Sequence, residues 1–456
     1  MSIALATSHL GVFRRTHSYC ARNLDQPFVL RNEFARLNSL FLMVLEVRRH
    51  FSPWIALTLI ALAEILTLSV WFSATVVSGP LKRLWQLNVT EVAFLTASVQ
   101  LGFVAGAVIS SITGVADRFN ARRVFTLAAV GGALVNGLFI FSNSWEMGML
   151  LRMLTGAAMV GVYPVAVKLV TEWAPARRGT AIGMLVGALT LGSALPHLIL
   201  FVGVSAPWQV VLLASSGLAL LGAGIVAFLL PDPPNEARST RNPPKISLVS
   251  LRSVLANKSA MLANYGYFGH MWELYAMWTW FPAFVYASFI IHGEHRGVVA
   301  SSTMIGFLVI GIAGAIGSLV GGLVADRIGR TAVASAAMIL SGLCALTIGL
   351  TYGGPPWVVI AVGLVWGVTV VADSAQFSAA VTELSAPQYI GTALTLQTAV
   401  GFLITIISIN LIGAAKDLIG WQWAFTLLSV GPFLGVYAML RLRARASSIA
   451  MANGKR

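Results

Sequence analysis

Long apolar segments separated by short polar ones dominate the chain between residues 53 and 440. A helix needs about 20 largely apolar residues to cross the hydrocarbon core of a bilayer. We predict such a helix in each of twelve segments: 53–78, 90–113, 124–142, 145–171, 180–203, 208–230, 260–289, 299–322, 332–352, 356–380, 390–414 and 421–440. A polar stretch divides them six and six. The pattern predicts an all-α, polytopic membrane protein built from two six-helix bundles.

The composition agrees with this class. The 456 residues are 57% hydrophobic and 10% charged, whereas soluble domains carry about 25% charged residues. The only two cysteines, Cys20 and Cys344, imply neither a disulfide framework nor a cysteine-rich metal site. Lipid, and not water, is therefore the solvent that this composition suits.

The distribution of basic residues predicts the orientation. With the N-terminus inside, 24 of the 30 Lys and Arg fall in inner segments and four in outer loops. Such a bias favours two cytoplasmic termini. The net charge of +14 then faces the anionic inner leaflet, and no nucleic-acid partner is needed to explain it.

We predict five regions: an N-terminal cytoplasmic extension over 1–50, a first bundle over 51–230, a cytoplasmic linker over 231–259, a second bundle over 260–442 and a cytoplasmic tail over 443–456. The extension carries seven Arg and no long apolar core, so it is not expected to be a targeting signal. Two hypotheses remain for it: translation begins at Met43, or the first 40 or so residues are disordered.

Two sequence landmarks occur twice. The letters Val-Ala-Asp-Arg appear at Asp117 and again at Asp326, 209 positions later. Ala-Pro, three residues and Gly-Thr-Ala appear at Pro175 and again at Pro387, 212 positions later. The same order at nearly the same offset indicates a duplicated six-helix unit, as in transporters whose site lies between parallel repeats.

The segment "GGLVADRIGR" (321–330) resembles the loop G-x-x-x-D-R-x-G-R of the major facilitator superfamily, which joins the second and third helices of a half. The first-half copy, "TGVADRFNARR" (113–123), is degraded, with Asn120 in place of the second Gly. Asn tolerates a left-handed turn better than most residues, so we expect the turn to be kept. The resemblance implies the fold of that superfamily over about residues 50–442.

The same resemblance implies that these loops gate the cytoplasmic side. The residues concerned are Asp117, Arg118, Asp326, Arg327 and Arg330. The carboxylates are expected at positive helix ends, with an Arg pairing to a carboxylate across the half. A plain positive-inside loop is the alternative.

Five ionisable residues fall within the predicted helices: Glu64, Arg152, His270, Glu273 and Asp373. A charge at the centre of a membrane helix costs about 2.5–3.5 kcal/mol on insertion scales, so each calls for a reason. Helical spacing places Glu64 on one face with Thr67 and Trp71, and Arg152 on one face with Gly156 and Tyr163. We predict that these faces wall a central substrate and coupling site.

In that hypothesis Glu64, Glu273 or Asp373 carries a proton and Arg152 attracts an anionic group on the substrate. The alternatives are a fixed pair of Arg152 with a carboxylate, and a His270 that only hydrogen-bonds a neighbour. In the aromatic stretch His270–Phe281, Trp272 or Tyr275 could stack on a planar ligand, while Trp278 and Trp280 approach an interfacial belt. A ligand role for His197, near the outer end of helix 5, is also open.

The sequence contains no G-x-x-x-x-G-K-[ST] nucleotide loop. We therefore predict a secondary active transporter that moves a small polar or anionic solute across the bacterial inner membrane by alternating access, with proton-coupled uptake. A drug or metabolite efflux antiporter is one alternative, and a non-transporting receptor of the same fold is another. We expect a monomer in the lipid bilayer with a small-molecule substrate and a proton, and no enzyme activity, cofactor, metal or nucleic-acid partner.

Overall fold

The computed structural model describes residues 51–113, 115–174, 178–233, 248–386 and 389–456. Twelve helical segments organise them: α1 Pro53–Leu68, α2 Val89–Thr113, α3 Ala121–Phe141, α4 Trp145–Trp173, α5 Thr180–Val202, α6 Gln209–Leu229, α7 Lys258–His292, α8 Val298–Ile328, α9 Arg330–Thr351, α10 Pro356–Leu384, α11 Ile390–Leu418 and α12 Trp421–Arg443. The predicted extension over 1–50 and residues 234–247 of the predicted linker lie outside the described residues.

Eleven of these segments are long and apolar enough to cross a membrane. The exception is α1, which has 16 residues and a length of about 24 Å. The chain then turns at residues 69–72 and continues into two short helices, Ser73–Val76 and Ser78–Trp85. The all-α, polytopic membrane class is confirmed, but the single helix predicted over 53–78 is wrong because the helix breaks after Leu68.

Both halves pair their helices in the same way. In the first half α1 packs against α5 and α6, and α2 packs against α4. In the second half α7 packs against α11 and α12, and α8 packs against α10. The duplication predicted from the repeated landmarks is thus visible in the packing of the two bundles.

Glycines bring α2 close to α4, and α8 close to α10, at matching positions. Each half contributes two glycines four residues apart, so both lie on one helix face. A Cβ atom at any of them would overlap a backbone carbonyl of the facing helix: Gly102 meets Met153, Gly106 meets Ala157, Gly317 meets Val368 and Gly321 meets Ala372. Only glycine permits this separation of the helix backbones.

The two halves meet along α2 with α11 and along α5 with α8. The hydroxyls of Ser111 and Thr395 lie 3.2 Å apart across the first contact. Ser318 donates a hydrogen bond of 3.1 Å to the carbonyl of Gly183 across the second. We call the end of the bundles that carries residues 115–120 and 326–330 the motif end.

Replacing Gly321 by Ala is expected to destabilise the protein, because the new methyl group overlaps the backbone of Ala372 and overpacking typically costs about 1–3 kcal/mol. The matched control is Gly322→Ala, where a Cβ atom meets nothing within 4 Å. The control should be neutral or slightly stabilising. Thermal unfolding in detergent checks this, and equal melting temperatures for the two variants would contradict the close packing.

Candidate functional site

A central cavity of about 90 Å³ lies between the two halves. It is walled by α2, α4 and α5 on one side, by α7, α10 and α11 on the other, and by Trp71 from the turn after α1. Aromatic rings and small hydroxyl side chains dominate its surface: Trp71, Phe103, Tyr163, Ser193, Tyr267, Tyr275, Trp278, Ser374, Ser378, Thr398 and Phe402. None of the described residues that line it is charged.

Aromatic rings from both halves meet beside this cavity. The ring centres of Trp71 and Phe103 lie 5.4 Å apart, and Phe103 lies 4.6 Å from Phe402 in the other half. Tyr275 lies 5.2 Å from Phe402 and 5.3 Å from Trp278. Such spacings are those of attractive ring contacts, so this cluster joins the two bundles at the depth of the cavity.

Three tyrosines supply unused hydroxyls to the cavity wall. In the described part of the chain, Tyr163, Tyr267 and Tyr275 make no hydrogen bond through their hydroxyl groups, although all three line the cavity. A phenolic hydroxyl can both donate and accept. The cavity therefore offers apolar ring surfaces together with neutral hydrogen-bonding groups, a combination suited to a planar ligand with a few polar atoms.

Glu64 lies behind this wall and not in it. Its side chain is 0% exposed, and neither carboxyl oxygen has a hydrogen-bonding partner among the described residues. The second part of α4, which begins at the cavity-lining Tyr163, packs against α1. A segment of the cavity wall is thus packed against the helix that carries this buried, unpartnered acid.

Arg152 is fully engaged inside the first half. Its guanidinium donates to the carbonyls of Val70, at 2.8 Å, and of Trp71. It also donates to Asn136, at 3.2 Å, and to Ser73, at 3.3 Å. The break after α1 leaves carbonyls without helical partners, and Arg152 satisfies two of them in the turn that carries Trp71.

The orientation expected for Arg152 is therefore corrected. Arg152 does not line the central cavity. The alternative of a fixed pair with a carboxylate is also wrong, because the partners of Arg152 are carbonyls and neutral side chains. Arg152 instead holds the broken end of α1 against α3 and α4. Through that turn it sets the position of Trp71.

Glu273 occupies the matching place in the second half, 209 positions after Glu64, and it too lies within its bundle. Trp366 on α10 donates to one carboxyl oxygen at 2.7 Å, and Ser341 on α9 donates to the other at 2.9 Å. The side chain is 1% exposed and does not line the cavity. Glu273 therefore ties α7 to α9 and α10.

His270 and Asp373 form a buried pair. Nδ1 of His270 lies 2.9 Å from Oδ1 of Asp373, although the two atoms are not aligned as a directed hydrogen bond. Asp373 sits where α10 is interrupted, between Ala372 and Ser374. Because Met271 and Ser374 line the cavity, the pair lies directly behind its wall in the second half.

Broken helices explain why the predicted faces differ from the observed ones. Helical spacing relates Glu64 to Trp71 only if α1 is continuous, and it breaks at residues 69–72. It relates Arg152 to Tyr163 only if α4 is continuous, and that helix is interrupted at residues 160–162. As a result Trp71 and Tyr163 line the cavity whereas Glu64 and Arg152 do not.

The prediction for the aromatic stretch His270–Phe281 is partly wrong. Tyr275 lines the cavity, but Trp272 donates to the carbonyl of Leu427 on α12. Trp278 is 1% exposed and lines the cavity, so it does not belong to an interfacial belt. Sequence reasoning missed the hydroxyls Ser193, Ser374 and Thr398; small polar residues on apolar helices were the available signal.

At the motif end of the second half, Arg330 makes the main contact. Its guanidinium forms two hydrogen bonds to the carboxylate of Glu383, of 2.7 and 2.8 Å. The C-terminal tail joins them, because the backbone N–H of Ala452 donates to Glu383 at 3.2 Å. Asp326 lies in the last turn of α8, an electronegative helix end, and is exposed, as is Arg327. The expected placement of Asp326 at a positive helix end is wrong.

The first half uses different residues at the same place. Arg122 pairs with Asp232 at 2.8 Å and donates to the carbonyls of Val226 and Ala227 at the end of α6. Gly329 has a φ of 99°, but Asn120 has a φ of −59° and caps α3 instead. The left-handed turn expected at Asn120 is therefore wrong. Arg118 is exposed, and the side chain of Asp117 lies outside the described part.

Two similar helical bundles around a central cavity define a polytopic membrane protein with a site between its halves. The sequence profile of the Major Facilitator Superfamily matches residues 54–310. The chain belongs to this family. The resemblance carried by residues 321–330 is thereby confirmed.

The chain is similar in sequence to several bacterial proteins. The 3-(3-hydroxy-phenyl)propionate transporter of Escherichia coli (strain K12) is 24% identical over 267 residues, which cover 55% of this chain and 63% of the relative. The putative niacin/nicotinamide transporter NiaP of Bacillus subtilis (strain 168) is 26% identical over 204 residues, which cover 44% of this chain and 50% of the relative. The chain thus matches half to under two thirds of the length of these proteins, and both are named as transporters.

A further relative and a solved structure extend the likeness. The probable 4-methylmuconolactone transporter of Cupriavidus pinatubonensis (strain JMP 134 / LMG 1197) is 25% identical, over 59% of this chain and 61% of the relative. The crystal structure of a mutant of the nucleoside transporter NupG superposes with a TM-score of 0.66 at 14% identity, covering 85% of this chain and 99% of that chain. The structural likeness supports the fold.

Replacing Arg152 by Met is expected to destabilise the first half, because the buried carbonyl of Trp71 loses its donor and that of Val70 keeps only the hydroxyl of Ser73. Each buried carbonyl left unpaired costs about 1–3 kcal/mol. Thermal unfolding in detergent should show a large fall in melting temperature. The control Arg118→Met, at an exposed site, should change it little. Equal stability of both variants would show that Arg152 does not hold the turn.

The ion pair of Arg330 with Glu383 is expected to contribute a measurable coupling energy, since both side chains are largely buried, at 14% and 28% exposure. Two parallel charge-assisted hydrogen bonds suggest about 1–2 kcal/mol. A double-mutant cycle of Arg330→Gln and Glu383→Gln, read by thermal unfolding, measures it. Arg327→Gln serves as the exposed control, and additive effects in the cycle would exclude the coupling.

Proposed function

We propose that the chain is a secondary active transporter that moves a small organic solute with a planar ring by alternating access, in proton-coupled uptake. The observation that carries this proposal is the central cavity, whose aromatic rings and free hydroxyls come from both halves. A site shared by two bundles can be exposed to either side in turn when the bundles rock against each other.

The proposed substrate class narrows the small polar or anionic solute expected from the sequence. Planar rings pack well against Trp71, Tyr275 and Phe402, and hydroxyls such as those of Tyr163 and Tyr267 can bond polar atoms on the ring or its substituents. The names of the relatives refer to compounds built on a ring: a hydroxyphenylpropionate, niacin or nicotinamide, and a muconolactone. These names support the proposal for this chain.

Glu64 is the residue we propose for proton coupling. Burying a charged carboxylate without a partner is very costly, so a buried Glu64 without one is held as the neutral acid. Rocking of the halves would let water reach the group and the proton leave. Tyr163 lines the cavity and begins the α4 segment that packs against α1, so this segment is the proposed link between solute and proton.

Glu273 and the pair of His270 with Asp373 are proposed as secondary contributors. Glu273 already accepts two hydrogen bonds, so losing or gaining its proton would disturb the contacts of α7 with α9 and α10. His270 and Asp373 lie at the interruption of α10, where a change in their charge would act on cavity-lining Ser374. The motif-end residues Arg330 and Glu383 are proposed as the latch that such movements release.

Three further proposals complete this function. Both termini are cytoplasmic, which the bias of basic residues supports. The membrane is a bacterial inner membrane, which the bacterial relatives support. The direction is uptake. Solute export driven by proton entry would favour the efflux alternative instead.

Purified protein in proteoliposomes is expected to accumulate radiolabelled 3-(3-hydroxyphenyl)propionate or niacin when the outside is more acidic than the lumen. Replacing Glu64 by Gln should abolish this accumulation while exchange of internal for external solute continues, because exchange needs no proton movement. The control is Glu146→Gln at the exposed start of α4, which should accumulate solute normally.

Accumulation by Glu64→Gln at the wild-type level would remove Glu64 from the coupling mechanism. Binding of solute by the wild-type protein with neither accumulation nor exchange would favour a receptor of the same fold. Equal losses in Glu64→Gln and Glu146→Gln would point to a general effect of removing acidic residues.

A further inference from the structure

A second and larger cavity lies between the halves at the end opposite the motif end. Its volume is about 480 Å³, within the usual range of small-molecule sites. Its walls include Arg83, His197, Trp208, Thr279, Tyr286 and Ser302. We call it the outer cavity. The central cavity is the smaller of the two in this conformation, at about 90 Å³.

Rings separate the two cavities. Trp71 and Trp278 line the central cavity, while Thr75 and Thr279, further along the same segments, line the outer one. Phe72 lies between them, with its ring centre 6.2 Å from Tyr275 and 6.0 Å from Trp278. A solute in the outer cavity therefore faces an aromatic partition formed by Trp71, Phe72, Tyr275 and Trp278.

The outer cavity carries a positive charge that the protein does not neutralise. Arg83 is the one charged side chain among the described residues that line it, and none of them is Asp or Glu. Within the described part of the chain Arg83 makes no ion pair or hydrogen bond. Arg152, by contrast, is occupied by backbone carbonyls. Arg83 is thus the cation that can bind an anionic solute in the outer cavity.

A buried histidine adds a second polar group. His197 lines the cavity and is 3% exposed. The rings of Trp208 and Tyr286 supply apolar surface nearby. A guanidinium, an imidazole and two rings around one space are complementary to a small aromatic carboxylate.

We propose that the outer cavity is a first binding site for a small aromatic carboxylate, with Arg83 holding the carboxylate before the solute crosses the aromatic partition. The proposal rests on the proposed transport function and adds the charge of its substrate. It also gives His197 a place beside the bound ring or carboxylate. The central cavity, whose described lining residues are all uncharged, then receives the solute through rings, hydroxyls and aliphatic side chains.

Binding of benzoate and of its neutral analogue benzamide to the detergent-solubilised protein tests the site. The wild-type protein should bind benzoate more tightly than benzamide. Arg83→Gln should weaken benzoate binding tenfold or more and leave benzamide unchanged, and Arg83→Lys should restore part of the loss. Lys82→Gln is the matched control, because Lys82 is a neighbouring cation that is exposed like Arg83 but does not line the cavity.

The substitution Ala283→Cys tests whether the preference for an anion arises in the outer cavity. Ala283 is exposed and lines this cavity. In a background of Cys20→Ser and Cys344→Ala, an anionic methanethiosulfonate reagent should react with the introduced thiol faster than a cationic one does. Arg83→Gln should lower that ratio of rates several-fold. Benzoate should slow both reactions. This measurement needs no transport.

Several outcomes would overturn the proposal. These are equal binding of benzoate and benzamide, no detectable benzoate binding, the same loss in Lys82→Gln as in Arg83→Gln, or no protection of the introduced thiol by benzoate. Protection of this thiol in a protein that shows no flux in proteoliposomes would refute the transport function and leave the site. Flux without protection would refute the outer site alone.

Discussion

A polar group inside a bilayer has no water to bond with, and this constraint governs where the chain places its few charges. Each half encloses a polar cluster among its own helices. In the first half Arg152 meets Asn136, Ser73 and two carbonyls of the turn after α1. In the second half Glu273 meets Ser341 and Trp366. These clusters hold the helices of a bundle together from within.

The division of polar groups between bundle interior and cavity has a consequence for function. Because Arg152 and Glu273 are occupied inside the halves, the central cavity presents rings and neutral hydroxyls. Charge recognition is then left to the outer cavity and Arg83, and proton exchange to Glu64 behind Tyr163. In the proposed transporter, substrate charge, substrate shape and proton would thus be handled at three separate places.

Much of the fold could be predicted from hydropathy because lipid imposes a simple length requirement on each span. The duplicated landmarks also predicted paired bundles, since loops at equivalent boundaries keep similar residues. The candidate site could be predicted only in part. Trp71, Tyr163 and Tyr275 were anticipated at the cavity, whereas the exclusion of Glu64 and Arg152 from its wall depends on interruptions at residues 69–72 and 160–162 that contain no glycine or proline except Gly161.

The membrane class, the two-bundle plan and the family can be read from the amino-acid sequence, because they follow from apolar length, repetition and a short loop motif. Which side chains face the cavity depends on how the helices pack. An unbroken helix would have put Trp71 on the face of Glu64. Arg152, brought from α4, instead binds the carbonyls of residues 70 and 71. Arg152 is separated from Val70 by 82 positions and from Trp71 by 81. The periodicity of α1 or of α4 alone cannot predict contacts over such a separation.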